Sequence, residues 1–287
     1  MSKLHFEPLH EFFGARVSGI DLTTALSDNQ VASIVEAMDA YSLLCFPNQN
    51  MSDEAQIELT RRLGKPEPNH ITFGTTGDID YFTTLGNVID AGNKKGNADP
   101  HTRYQTGNNM WHSDSSFRLV PTKFSINHAY EVPGQGGETE FASQRVAYAR
   151  LPESLQSLIE PLRVLHDYVF SRSQVAPVHP NHAASLPPIE QRLLRKNPAN
   201  GLKNYYVGAH ARSIIGFSGI ESRRLIDDLL ERATKPEQVY GHRWQAGDTL
   251  IWDNRCLLHR GLGFDADRWR RLMRQTRVSG DGPTLNE

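Results

Sequence analysis

The sequence predicts a mainly β fold with flanking helices, and three observations carry that expectation. Short apolar or alternating runs, bounded by Gly, Pro, Asn and Asp, crowd the chain after residue 100. Capped helical patterns cluster near the start. No fixed-period repeat, G-x-G-x-x-G or Walker-A run is present, which weakens solenoid and nucleotide-binding readings. The expected architecture is a β-sandwich or barrel-like core decorated with helices.

Each element follows from local chemistry. Ala15 to Leu22 reads as a short strand kinked at Gly19. Ser27 and Gln30 form a capping box that opens a helix to about Tyr41. The continuous apolar run Ser42 to Phe46, ended by Pro47, fits a buried strand. Ser52 caps a second helix through Arg62, stopped by Gly64 and Pro66. Residues 87–109 and 171–188 lack periodicity and are expected as lid loops. Between them, Lys123 to Tyr130 and Glu138 to Phe141 read as strands joined by the turn Pro133 to Gly137. Leu193 to Lys196 and Asn204 to Val207 flank a turn at 197–201 as a hairpin. A helix over Glu221 to Arg232 and strands over Val239 to Arg243 and Thr249 to Trp252 complete the pattern.

The chain has 287 residues, near the upper end of what one hydrophobic core supports. Its apolar fraction of 38% is low for a compact enzyme, which long polar loops account for. A formal net charge of -2 leaves no electrostatic footprint for nucleic acid or an anionic membrane. The basic run Arg268 to Arg274 is too short to change that. No apolar stretch is long enough to span a bilayer, and the N-terminus lacks a signal-peptide profile. Cys45 and Cys256 sit in apolar strand-like runs, as reduced buried thiols of a cytoplasmic protein would.

Chemistry concentrates in NNMWHSDSSF, residues 108–117. On an extended segment His112 and Asp114 point to one face, two-thirds of the 2-His-1-carboxylate set of non-heme Fe(II) oxygenases. With 12 histidines, an H-x-D arises by chance about once, so the pair alone is weak evidence. A third ligand is available in His259, at the end of an apolar run and before Gly261. Arg270 and Arg274 follow it eleven and fifteen residues on, and guanidinium groups bind carboxylates bidentately.

Several separated motifs, in order, resemble the TauD/TfdA family of Fe(II)- and 2-oxoglutarate-dependent dioxygenases. They are GARVSGIDL, LLCFPNQNMSDEAQIELTRRLG, NMWHSDSSF, GGETEF, YYVGAHA and WDNRCLLHRG. The likeness is greatest to the aryloxyacetate branch. It implies a double-stranded β-helix (jelly-roll) core, one dioxygenase domain over 1–287, and use of Fe(II), 2-oxoglutarate and O2. His112, Asp114 and His259 would bind iron. Thr139 and Arg270 would hold the distal carboxylate of 2-oxoglutarate, with Asn108 beside the cofactor. Arg274 would hold the acidic head of a small anionic substrate. His210 lies in a segment matching a His-rich stretch of the aryloxyacetate branch, although Ser213 stands where a second histidine is expected. His70 falls where the taurine branch has a substrate-contacting histidine. The family commonly forms homo-oligomers.

The implied reaction hydroxylates an aryloxyacetate-type acid beside its ether oxygen, so that it falls apart to a phenol and glyoxylate, with succinate and CO2 as co-products. Two alternatives stay open. The same chemistry on an alkylsulfonate such as taurine would satisfy Arg274 equally. A zinc hydrolase would use the same His-Asp-His set, but gives no task to Thr139, Arg270 and Arg274.

Overall fold

Two β-sheets pack against each other in the computed structural model, which describes residues 4–69, 80–89 and 92–287. The larger has seven strands, in the order His5–Pro8, Ala15–Ser18, Leu43–Phe46, Thr249–Asp253, Thr122–Glu131, Leu272–Ser279 and Thr83–Gly86. All its pairings are antiparallel except that of Ala15–Ser18 with Leu43–Phe46. The smaller sheet sets Thr139–Ser143 between Val239–His242 and Leu257–Gly261.

The two sheets share an apolar core. Leu43, Cys45, Ala129, Leu250, Trp252 and Met273 of the large sheet meet Phe141 and Leu257 of the small one. The Phe141 and Trp252 rings meet edge to face, 5.6 Å between centroids. Each such large side chain removed from water contributes about 2–3 kcal/mol. A second core lies on the outer face of the large sheet, where the helices Asp28–Tyr41 and Asp53–Leu63 cover Phe46, Ile126, Ile251 and Val278.

Local signals explain most boundaries. Ser27 and Gln30 form the expected capping box, and Ser42 ends that helix in a left-handed conformation before the buried strand Leu43–Phe46. Ser52 caps the second helix, and Gly64, at φ +151°, ends it. Leu194–Lys196 and Lys203–Tyr205 form the expected hairpin. The helix Gly219–Ala233 gains a second capping box, Ser218 with Glu221.

Two expectations change. The turn Pro133 to Gly137 does not close a hairpin, because Thr122–Glu131 and Thr139–Ser143 belong to different sheets. The turn instead carries the chain across the mouth between them. The segments 87–109 and 171–188 are not loops throughout. Val88–Ile89 pairs with Asn93–Lys94, helices cover Pro100–Gln105 and Tyr168–Arg172, and a further one covers Pro180–Ser185. Caps too short to show in a periodicity window start them: Asp99, Asp167 and His179 each accept a backbone N–H.

Candidate metal and oxo-acid site

At the mouth between the sheets His112 and His259 form an isolated antiparallel bridge. His112 N donates to His259 O at 3.0 Å, and His259 N donates to His112 O at 2.8 Å. Past His112 the chain turns rather than continuing as a strand, with Ser115 at φ +50°. That turn brings Asp114 back toward both imidazoles: Asp114 Oδ1 lies 3.7 Å from His112 Nε2 and 3.7 Å from His259 Nε2. The three side chains are a ready set of metal donors.

The atoms around them fix the donor set. His112 Nδ1 donates to Met110 O at 2.7 Å, which leaves the Nε2 lone pair for a cation. His259 is held by the rings of Trp252 and Phe141, 4.8 and 6.1 Å away between centroids. Asp114 Oδ2 accepts from Ser125 Oγ at 2.6 Å and Gln275 Nε2 at 3.1 Å, so Oδ1 is the oxygen that faces the imidazoles. Asn254 accepts from Asp114 N and Trp252 Nε1 and donates to Ser125 Oγ, tying the turn to the strand beneath it. Burial pulls the His259 imidazole down to about 3, helped by neighbouring His112, and burial also lowers His112. Burial works against the Asp114 charge, but His259, His112, Arg277 and the Ser125 hydroxyl outweigh it and hold the carboxyl at about 2. Two neutral imidazoles and one carboxylate at neutral pH are what a divalent cation needs.

The site opens into a cavity of about 1100 Å³. Thr139 lines it, its Oγ accepting from Trp244 Nε1 at 2.9 Å and so keeping its O–H to donate. Asn108 also lines it, with Oδ1 accepting from Arg172 Nη2 at 2.7 Å.

The arginines fall differently from the sequence expectation. Arg270 is exposed and paired with Glu131 outside the cavity. Its neighbour Arg271 takes the cavity position: half-buried, with a buried and unpartnered Nε, Nη2 reaching only Gly137 O at 3.4 Å, and no carboxylate within 4 Å among the described residues. Burial alone pulls this guanidinium down to about 10. Arg271 has the parity of Met273, Gln275 and Arg277, and the register shift between Leu272 and Met273 skips Tyr130 of the partner strand, leaving that alternation unbroken. The backbone of Arg271 is clamped by Asn87, which donates to Arg271 O at 3.0 Å and accepts from Arg271 N at 2.8 Å. Gly86 permits that approach, since a Cβ there would sit 2.1 Å from Arg271 O.

Arg274 reaches the cavity edge but is already held. It donates to Asp53 Oδ2 at 2.7 Å and Thr84 Oγ1 at 2.7 Å, and lies over the Phe82 ring. Strand alternation turns Gln275 and Arg277 toward Asp114 instead. Arg277 donates to Gln275 Oε1 at 2.9 Å and lies 3.4 Å from buried Glu67. His210 is buried behind the site, its ring 6.2 Å from His112 and 4.8 Å from Phe117, and does not line the cavity. His70 lies outside the described residues. Arg271, Arg172, Gln275, Arg277 and Asn87 escaped the sequence reading. The doublet Arg270-Arg271 was the one signal there, and only strand register separates its members.

Cys45, His242 and Asp248 also approach one another. His242 is bonded at both nitrogens, to Asp248 and Tyr240, and burial pushes the Cys45 thiol up to about 12. That group is a closed polar knot bracing the turn before Thr249–Asp253.

A sequence profile described as taurine catabolism dioxygenase TauD, TfdA family matches residues 5–276. The chain is 38% identical, over 94% of its length and 96% of the other's, to an alpha-ketoglutarate-dependent 2,4-dichlorophenoxyacetate dioxygenase of Cupriavidus pinatubonensis (strain JMP 134). It is 33% identical to an (S)-phenoxypropionate/alpha-ketoglutarate-dioxygenase of Sphingobium herbicidovorans, over 96% of this chain and 94% of that one. Among solved structures, AAD-2 in complex with Mn(II) and N-oxalylglycine superposes with a TM-score of 0.90 at 33% identity, covering 99% of this chain and all of that one. Sequence and fold agree, and the chain belongs to the TauD, TfdA family of dioxygenases.

Proposed function

We propose that this protein is an Fe(II)- and 2-oxoglutarate-dependent dioxygenase that hydroxylates, and thereby cleaves, an aryloxyacetate-type acid. The products are a phenol and glyoxylate, with succinate and CO2 from the cosubstrate. The observation that carries the reading is Arg271, a half-buried cation without a carboxylate partner among the described residues, in the cavity that His112, Asp114 and His259 face. A buried charge is unfavourable until an anion meets it, and a dicarboxylate whose other end chelates the metal is such an anion. A zinc hydrolase leaves Arg271 without a task.

The chain's own contributions follow from the geometry. His112, Asp114 and His259 would hold the metal and supply three of its ligands, leaving room for the oxo acid. When bound, Fe(II) with the oxo acid supplies the activation of O2 and the oxidation of a C–H bond. Arg271 and the Thr139 hydroxyl anchor the far carboxylate, so the oxo acid enters in one orientation. Trp244 fixes that hydroxyl, and Asn87 fixes that arginine. Phe82, Leu85, Val88, Leu262 and Phe264 contribute apolar surface to the cavity. That lining suits an aromatic ring better than a short alkylsulfonate. The two packed sheets also support the double-stranded β-helix reading of the core.

Anaerobic addition of Fe(II) and 2-oxoglutarate to the apoprotein should give a weak visible charge-transfer band, and phenoxyacetate should shift it. In air, phenol and succinate should then form in equal amounts. A bound iron that gives no band would overturn the oxo-acid assignment.

A further inference from the structure

The proposed reaction brings two anionic acids into one cavity, so it needs two cations free to meet them. Arg271 answers for the oxo acid. Arg274 is engaged by Asp53 and Arg277 lies beside Glu67. Arg103 is exposed. Arg172 remains, on the short helix Tyr168–Arg172, and no carboxylate lies within 4 Å of it among the described residues.

The surroundings of Arg172 orient its guanidinium without neutralising it. Nη2 donates to Asn108 Oδ1 at 2.7 Å and Nη1 to Tyr104 O at 3.3 Å, both neutral acceptors. The plane lies over the rings of Tyr104 and Tyr168, 5.1 and 5.8 Å from their centroids, and those two hydroxyls are hydrogen-bonded to each other. Gly107 makes room: a Cβ there would lie 2.0 Å from Arg172 Nη1, although its backbone is of a kind any residue adopts.

Resting on the function proposed above, we infer that Arg172 receives the carboxylate of the aryloxy acid substrate, in place of the occupied Arg274. A guanidinium already stacked and bonded on one edge loses little freedom on meeting a carboxylate with the other.

The test compares phenoxyacetate with neutral phenoxyacetamide, by calorimetry on the anaerobic Fe(II)/2-oxoglutarate protein and by KM in air. Wild type should favour the acid. Arg172→Gln should weaken phenoxyacetate binding by roughly 30-fold or more and abolish the preference for acid over amide. The KM for 2-oxoglutarate should stay within about two-fold. Gly107→Ala, which displaces the guanidinium and keeps its charge, should lose part of the same preference, and Arg172→Lys should retain part of it. An Arg172→Gln protein that keeps the full preference would overturn the inference. A wild type with no oxo-acid-dependent turnover at all would overturn the underlying function, and that result appears before any variant is made.

Discussion

His112 and His259 hold each other through both backbone hydrogen bonds, 3.0 and 2.8 Å long, with their rings 4.2 Å apart. Two of the proposed metal donors, far apart in sequence, are thus registered by main chain, and the third, Asp114, is returned to them by a turn. The bridge positions the imidazoles whether or not a cation is present, so side-chain substitutions act on affinity rather than on assembly.

Asp114→Ala should abolish Fe(II)-dependent turnover and cut metal affinity, read by titration with Fe(II) or Mn(II). Ser125→Ala, which removes the 2.6 Å bond to Asp114 Oδ2, should lower metal affinity about 10- to 100-fold with the fold intact. Normal activity in Asp114→Ala would sink the ligand assignment.

Arg271→Gln should raise the KM for 2-oxoglutarate by roughly 100-fold, whereas Arg270→Gln, altering an exposed pair with Glu131, should leave it within about two-fold. Arg271→Met should also raise the urea midpoint of the apoprotein, because a half-buried charge with no carboxylate partner among the described residues disappears. A reversed order between the two arginines would return the role to Arg270.

Asn254→Ala should cost about 2–4 kcal/mol of stability, since it orphans Asp114 N and buried Trp252 Nε1 and takes the amide donor away from Ser125 Oγ. Metal affinity should fall with it. A loss below about 0.5 kcal/mol would mean that water replaces the amide.

His166 gives the fold an acid limit. Burial holds its folded-state imidazole down to about 3, against 6.5 as the ordinary value, so the unfolded chain binds the extra proton between those values. Its contribution is therefore complete above pH 6.5 and is lost as pH falls toward 3, at up to about 1.4 kcal/mol per pH unit. Urea midpoints from pH 7 to 4 should show that slope, and His166→Gln should reduce it. An unchanged slope in the variant would place the acid sensitivity elsewhere.

Much of this was readable because the signals are local. Ser27 with Gln30 marks a helix start, and the run ending at Phe46 marks a buried strand, through interactions within a few residues. His112, Asp114 and His259 were readable through the spacing of whole motifs. What escaped depends on register. Whether Arg270 or Arg271 faces inward turns on the alternation it shares with Gln275 and Arg277 and on Asn87 from another segment. Arg274 looked available until the start of the helix Asp53–Leu63 was placed beside it. His210 carried the right chemistry, but Phe117 and His112 stand before it.

The lone charge of Arg271 reaches beyond catalysis. The first acid to arrive meets a guanidinium whose backbone Asn87 already holds in place and that no carboxylate engages among the described residues. The loaded chain should therefore outlast the empty one by a margin set by cosubstrate supply: about 2.7 kcal/mol where 2-oxoglutarate stands at 100 times its Kd, and almost nothing where it is scarce. The persistence of this protein in a cell would then follow the abundance of the oxo acid it consumes.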